Sequence, residues 1–312
     1  MKYAWITKHK KRFAIKEMCR VLNVSVSGYY DQRGRKLSPR ATRSKEIKQD
    51  VQQLHDEHHG IYGSYKIADL MRQRDDVESA CRNTVATAMR ELGLKSRVCT
   101  RYKPTTTTAD PSKRPADNLL DRDFHADKPN QKWVTDITYI HTSLGWVYLA
   151  AVLDLFSRKI VGWSMNTSLS TGLVSDALRH AIEARQPSPG LLHHSDRGCQ
   201  YTSDAYQKTL ATMGIVCSMS RTGNCYDNAV MERFFWSLKQ EWTNHEMFAD
   251  LPAARASVFK YIETFYNSKR IHQTLGYQTP DAFEQAFEQV NPPESNKSKP
   301  DHAPACSTEQ VA

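Results

Sequence analysis

From residue 132 onward the order of periodicities admits few folds. Three strand-like runs, KWVTDITYI (132–140), WVYLAAVLD (146–154) and KIVGWSM (159–165), are separated only by the short turns TSLG and LFSR. That spacing predicts an antiparallel meander. A helical run at 171–185, a strand LLHHS at 191–195, a helix near 203–213, a strand IVCSM at 215–219 and a long helix over 228–242 follow. The resulting β-β-β-α-β-α-β-α order predicts one α/β domain. A helix around 252–267 and a short one near 280–289 close it.

Three carboxylates stand at telling places in that order. Asp136 falls inside the first strand, among apolar and β-branched neighbours in WVTDITYI. Aspartate is depleted in strands, and burying it unpaired costs several kcal/mol, so a metal or a cationic partner is expected. Asp196, in HHSDRGCQYTS, directly follows the fourth strand, where an Asx turn before Gly198 would use it equally well. Glu232, in NCYDNAVMERFFWSLKQEW, lies one turn into the long helix, with Asn228 four before it and Lys239 seven after it on the same face. Hard divalent cations take oxygen ligands, so three carboxylates placed on strand, strand end and helix point to a Mg²⁺ centre. Asp154, at the end of the second strand, reads as a turn residue outside that set, and Trp133, Trp146, Trp163 and Phe234 read as packing.

The N-terminal part is different in kind. Residues 1–50 hold 14 Lys or Arg against 4 Asp or Glu, a balance of +10 in a chain of net charge +9, so the remaining 262 residues sum to −1. A basic block on a near-neutral body suits a nucleic-acid contact or simply a soluble basic face. FAIKEMCRVL (13–22), a break at Asn23, and SVSGYY with Ser25 or Ser27 as a cap predict a helix-turn-helix or a plain helical hairpin over residues 1–42. Arg33, Arg35, Lys36 and Arg40 favour DNA, and Ser27, Tyr30 and Arg33 are this unit's candidate contacts. A second helical, DNA-binding-like unit spans 43–98, its last helix opened by Arg82, Asn83 and Thr84 and closed by Gly93. Residues 99–127, with TTTT at 105–108 and four prolines nearby, read as a linker, residues 128–289 as the catalytic core, and 290–312 as a disordered tail.

Other classes fall away. The seven cysteines are scattered and form no CxxC pair, which argues against a disulfide framework or a zinc ribbon. His55, His58, His59, Cys81 and Cys99 invite a zinc reading, but the short cysteine pair such a site needs is missing. The start has no signal-peptide core, and WVYLAAVL is too short to span a bilayer, so a soluble, cytoplasmic protein is expected.

WVTDITYI, HSDRGCQYTS and YDNAVMERFFWSLKQEW together resemble the signature segments of DDE transposases related to retroviral integrases. The 35 residues between Asp196 and Glu232 match the interval that names the D,D(35)E group, and Lys239 fits its basic position seven after the glutamate. Within that group RFAIKEMCRVLNVSVSGYY, HHGIYGSYKI and YNSKRIHQTLGYQTPDAF resemble blocks of the OrfB transposase of bacterial IS-three insertion sequences.

The resemblance implies an α/β catalytic core with a ribonuclease-H-like mixed sheet flanked by helices, the first and fourth strands adjacent and the glutamate helix packed across. It implies two Mg²⁺ ions, or Mn²⁺ in their place, held by Asp136, Asp196 and Glu232, and Mg-dependent strand cleavage followed by strand transfer at insertion-sequence ends. Lys239, Arg233 and Asn228, with His194 and Arg197 beside Asp196, are the candidate DNA contacts of the core. The implied partners are terminal-repeat and target DNA, further copies of the chain on DNA, and an upstream OrfA product as fusion or partner, since no zipper-like heptads precede residue 13. Two alternatives stand beside this reading: a ribonuclease-H-like nuclease that never joins strands, and a non-catalytic DNA-binding regulator.

Overall fold

In the computed structural model residues 1–34, 38–77, 79–97, 116–221 and 225–292 are described, with the side chains of 32–34, 225 and 226 left aside. The chain divides into two units, Met1–Ser96 and Arg97–Ala312.

The larger unit is built on β1 (Lys132–Thr142), β2 (Gly145–Asp154) and β3 (Ile160–Asn166), the antiparallel meander expected from the sequence. A tight turn joins the first two strands, in which the Thr142 hydroxyl donates to the Gly145 carbonyl at 2.7 Å. Beyond the meander come α7 (Thr171–Arg185), β4 (Leu192–Ser195), α8 (Asp204–Thr212) and β5 (Val216–Met219). The sheet order is β3-β2-β1-β4-β5, with β4 parallel to β1 and β5 parallel to β4. The last six residues of β2 are all buried, as suits a strand covered on both faces.

One face of the sheet packs against α7 and α8 through Trp133, Val152, Leu173, Val174, Leu178, Tyr206 and Leu210. Close approach here depends on Gly162 in β3: a Cβ at that position would meet the Ala177 carbonyl of α7 at 2.4 Å and the Ala181 amide at 2.5 Å. Any side chain would push the helix off the sheet. Asp154 is fully buried and accepts the backbone amides of Asn130 at 2.7 Å and Phe156 at 2.9 Å. Its carboxyl is pushed up to about 6, first by burial, with both amides and Arg185 opposing. The residue thus closes the end of β2, in keeping with its reading as a turn residue.

After β5 come α9 (Ala229–Glu241), which packs on β1, then α10 (Leu251–Tyr261), a π-helical turn (Ile262–Tyr266) and α11 (Pro280–Val290). The expected single helix over 252–267 therefore changes pitch after Tyr261, widening the backbone where Phe265 and Tyr266 turn into the core beside Phe234 and Trp242.

The expected linker differs too. Residues 98–115 lie outside the described residues, but 116–127 are not free: the amides of Leu119 and Leu120 both donate to the Ser218 hydroxyl at 3.0 and 3.1 Å, and Leu120 is 1% exposed. The polar composition hid this docking, because its bonds run to backbone amides that every residue carries.

In the N-terminal unit α1 (Lys2–His9), α2 (Ile15–Val21) and α3 (Val26–Gly34) share a small core of Ile6, Met18, Cys19 and Tyr29. Sequence reading missed α1, whose apolar side chains are too few to mark a face. Asn23 makes the turn at φ 52°, and Ser25 rather than Ser27 caps α3, accepting the Gly28 amide at 3.0 Å. Then α4 (Pro39–Glu57), capped by Ser38, packs with α5 (Ser64–Gln73) and α6 (Arg82–Glu91) through Val51, Leu54, Ile67, Met71, Val85 and Met89. Gly93, at φ 72°, ends α6 as expected. Among the described residues no helix is long and apolar enough to cross a membrane.

Candidate active site

Parallel pairing of β1 with β4 sets Trp133 opposite His193 and Val134 opposite His194. Asp136 and Asp196 each lie two residues beyond the Val134–His194 pair, Asp136 still within β1 and Asp196 just past the end of β4. β1 runs on while β4 stops at Ser195, and the Asp196 carboxylate accepts the Gly198 amide at 2.9 Å, bending the chain away. A Cβ on Gly198 would stand 3.0 Å from that carboxylate oxygen and 2.9 Å from the Gln200 amide oxygen, so a small residue keeps Asp196 in place. The turn role and the site role of Asp196 are thus compatible.

Asp136 is partly open to solvent, yet the surrounding protein encloses it enough to perturb it strongly. Its carboxyl is pushed up to about 8, first by desolvation and next by the charge of Asp196; the Ile137 amide, donating at 2.8 Å, opposes this, the charge of Glu232 adds to it, and Lys239 pulls it down. Asp136 therefore feels all three of the groups that the sequence singled out with it. Lys239, partly buried on α9, holds its ammonium 4.1 Å from the Tyr139 ring centre, and desolvation pushes it down to about 8 against the pull of Asp136.

Glu232 is the fourth residue of α9 and is exposed. Among the described residues no three His, Cys, Asp or Glu side chains are gathered tightly enough to hold a metal ion. The three carboxylates share a field without forming a closed ligand set.

The start of α9 is anchored by groups that sequence reading did not single out. Asp227 is fully buried and accepts the Asn118 side-chain amide at 2.9 Å, the Arg122 guanidinium at 3.1 Å and the Arg221 backbone amide at 3.0 Å. Burial pushes its carboxyl up, but the Arg221 amide and Arg122 outweigh that and hold it below the ordinary carboxylate range. An acid just before a helix is so common as a cap that its position alone carried no signal. The far end of α9 is held by a buried ion pair between Glu241 and Arg270.

Two of the expected DNA contacts are instead structural. Asn228 is 6% exposed, and its side-chain amide donates to the Thr135 carbonyl at 3.1 Å, fastening α9 to β1 one residue before Asp136. His194 is fully buried between the hydroxyls of Ser218 at 2.8 Å and Ser220 at 3.0 Å, and burial holds it at about 4, neutral at physiological pH. Both side chains are buried within the fold. Arg197 is partly exposed and donates to the Ser220 carbonyl at 2.6 Å, while Arg233 is exposed, 4.3 Å over the Trp236 ring. Ser27 and Tyr30 are exposed on α3, and the side chain of Arg33 lies outside the described residues, as does Cys99. Of the aromatics assigned to packing, Trp133 and Phe234 are buried, but Trp146 is 49% exposed, paired with His141 beside the turn of the β1–β2 hairpin.

The chain matches family models of an integrase core domain over residues 126–225 and again over 213–280, and of an HTH-like domain over 42–103. It is 40% identical over 286 residues to the transposase InsF for insertion sequence IS3A of Escherichia coli (strain K12), covering 91% of this chain and 98% of that protein. It is 40% identical over 238 residues to the transposase for insertion sequence element IS904 of Lactococcus lactis subsp. lactis, covering 76% of this chain and 93% of that protein. Among solved structures it aligns with a chain of the simian T-cell lymphotropic virus intasome at TM-score 0.43 and 16% identity, covering 83% of this chain and 80% of that one. It also aligns with the HTLV-2 integrase catalytic core domain at TM-score 0.41 and 16% identity, covering 51% of this chain and 99% of that one.

Proposed function

Because the chain belongs to the InsF-type transposases of IS3 insertion sequences, with an integrase core domain and an HTH-like domain, we propose that Asp136, Asp196 and Glu232 are the carboxylates with which it cuts and joins DNA. The observation that supports this assignment is the position of Asp136 and Asp196, each two residues beyond the Val134–His194 pair of β1 and β4, with the Asp136 carboxyl pushed up first by desolvation and then by the charges of Asp196 and Glu232. Like charges gathered on oxygen donors are the condition that a divalent cation relieves. Glu232, on an exposed first turn, closes the set by a side-chain movement.

Two Mg²⁺ or Mn²⁺ ions bound by these residues would supply the charge that activates the attacking oxygen and stabilises the leaving one in an in-line phosphodiester displacement. The chain's own residues position and hold. Lys239, in the field of Asp136, meets a phosphate oxygen of the strand at the site, and Arg197 and Arg233 contact the flanking backbone. Asn228 and Asp227 set the pitch of α9 so that Glu232 faces the two aspartates. We propose further that Ser27, Tyr30 and Arg33 on α3 contact the terminal repeats, and that residues 1–42 and 43–98 act as two DNA-reading parts of an assembly of several copies, in which an OrfA product serves as fusion or partner.

The test is strand joining. Incubation of the full chain with Mg²⁺ and labelled element-end DNA, alone and as an upstream-frame fusion, is expected to yield branched or circular products. Cleavage without any joined product would make the protein a nuclease instead. A second expectation follows from the Asp136 proton, which a bound cation must displace. Mg²⁺ affinity, read by calorimetric titration, should rise by about tenfold per pH unit as pH climbs towards 8 and level off above it. A pH-independent affinity between pH 6 and 8 would remove Asp136 from the ligand set.

A further inference from the structure

A cavity of about 430 Å³ opens beside Lys239, between the end of β1, the start of β2 and the segment after α9, with Tyr139, His141, Trp146, Gln240 and Met247 in its wall. Nothing in the carboxylate chemistry uses these side chains. Trp146 is 49% exposed and Met247 98%, whereas Trp133 on the same sheet is fully buried. Tyr139 and His141 stand edge-on to the Trp146 ring at 5.0 and 4.9 Å, with interplanar angles of 87° and 78°. The indole is therefore held in one orientation while half of it meets solvent, an arrangement suited to receiving a planar ligand.

Charge selects the ligand class. The cation in the wall, Lys239, stands over Tyr139 and also lies in the field of Asp136, so it joins the cavity to the candidate active site. The acid in the wall, Glu246, accepts a hydrogen bond from the Ser257 hydroxyl at 2.5 Å. An aromatic plate beside a lysine fits a nucleobase with its phosphate, and stacking tolerates any base because each has a π-face. A paired base is stacked on its neighbours already, so only an unpaired one can fill the cavity.

We propose that this cavity is a stacking subsite for one unpaired nucleotide of the DNA strand whose adjoining phosphate lies at the carboxylates, with Trp146 against the base and Lys239 against the phosphate. The inference rests on the assignment of Asp136, Asp196 and Glu232 made above. Its occupant is a strand end or a locally opened position, and stacking there keeps that strand from re-pairing while its phosphate reacts.

The probe is single-stranded oligothymidine carrying one 2-aminopurine, titrated with the full chain in EDTA so that no turnover occurs. The parent protein quenches the fluorescence. Trp146→Ala should lose the quenching and bind about tenfold more weakly, with the salt dependence of binding unchanged, because phosphate contacts remain. Trp146→Phe should keep most of the quenching, and a fully paired duplex with the same 2-aminopurine should show little. Quenching and affinity in Trp146→Ala equal to the parent's, or a loss in Trp146→Phe as large as in Trp146→Ala, would overturn the subsite. Asp136→Asn should quench like the parent. Failure of the carboxylate assignment would appear separately, as strand joining that survives in Asp136→Asn.

Discussion

Asp136→Asn is expected to lower strand cleavage and joining by about a thousand-fold or more, with DNA affinity little changed. Removing one anionic ligand forfeits several kcal/mol of charge stabilisation at the reacting phosphate, and each 1.36 kcal/mol is tenfold in rate. Glu232→Gln should do the same, since its carboxylate acts on the same centre. The assay is single-turnover joining of labelled end DNA beside a gel-shift titration, and joining in either variant at a tenth of the parent's rate or better would rule out the assignment. Asp136→Asn carries a second signature in metal-free buffer. The folded-state pKa of about 8 exceeds the ordinary 3.8, so the folded protein binds the extra proton and this group's contribution to stability is complete below about pH 4 and lost as pH rises through about 8. Above pH 8 without cation, the asparagine variant should therefore melt at a higher temperature than the parent. Added Mg²⁺ should stabilise the parent and leave the variant unmoved.

The largest loss of stability is expected from Arg270→Met. The Arg270 guanidinium donates to both oxygens of Glu241, at 2.7 and 2.5 Å, and Tyr261 adds a hydroxyl at 2.9 Å, with the pair's side chains only 9% and 8% exposed. Methionine would leave a buried carboxylate with one neutral partner, which costs about 3–5 kcal/mol. For a domain of this size that is a fall of roughly 6–20 °C in melting temperature. Activity should fall as well, because Glu241 ends the helix that carries Glu232. Replacing both partners, as Glu241→Leu with Arg270→Met, removes the stranded charge and should recover much of the loss. A single variant that melts within about 2 °C of the parent would show that the pair is not what secures α9.

This ion pair also gives the block YNSKRIHQTLGY a physical role. Arg270 ties the segment to α9, and Asn267 donates to and accepts from the backbone of Ile160 in β3 at 3.0 Å each way. The segment braces the glutamate helix and the sheet edge.

Much of the core domain was legible in the chain because its signals are local. Strand and helix periodicities over 132–242 located β1 to β5 and α7 to α9 to within a residue or two. The depletion of aspartate from strands marked Asp136, and helical spacing marked Lys239 with Glu232. What the sequence could not express was which polar side chains turn inward. Asn228 and His194 look like surface contacts on spacing alone, yet both are buried against partners brought close only by folding: the Asn228 side-chain amide donates to the Thr135 carbonyl, and the His194 ring nitrogens meet the hydroxyls of Ser218 and Ser220. The same holds in reverse for Trp146, an apolar residue left half in solvent beside the turn of a hairpin.

The three candidate carboxylates were thus singled out by residue type and order along the chain, since period and propensity act over a few neighbours. Their shared field was decided only in three dimensions. The parallel pairing that brings β1, which carries Asp136, beside the strand that ends just before Asp196, and the anchors at Asp227, Asn228 and Arg270 on either end of the helix of Glu232, join residues up to 109 positions apart. Hydrogen bonds and buried charges of that reach leave no periodic trace in a sequence, because each partner separately obeys the ordinary rules of its own element.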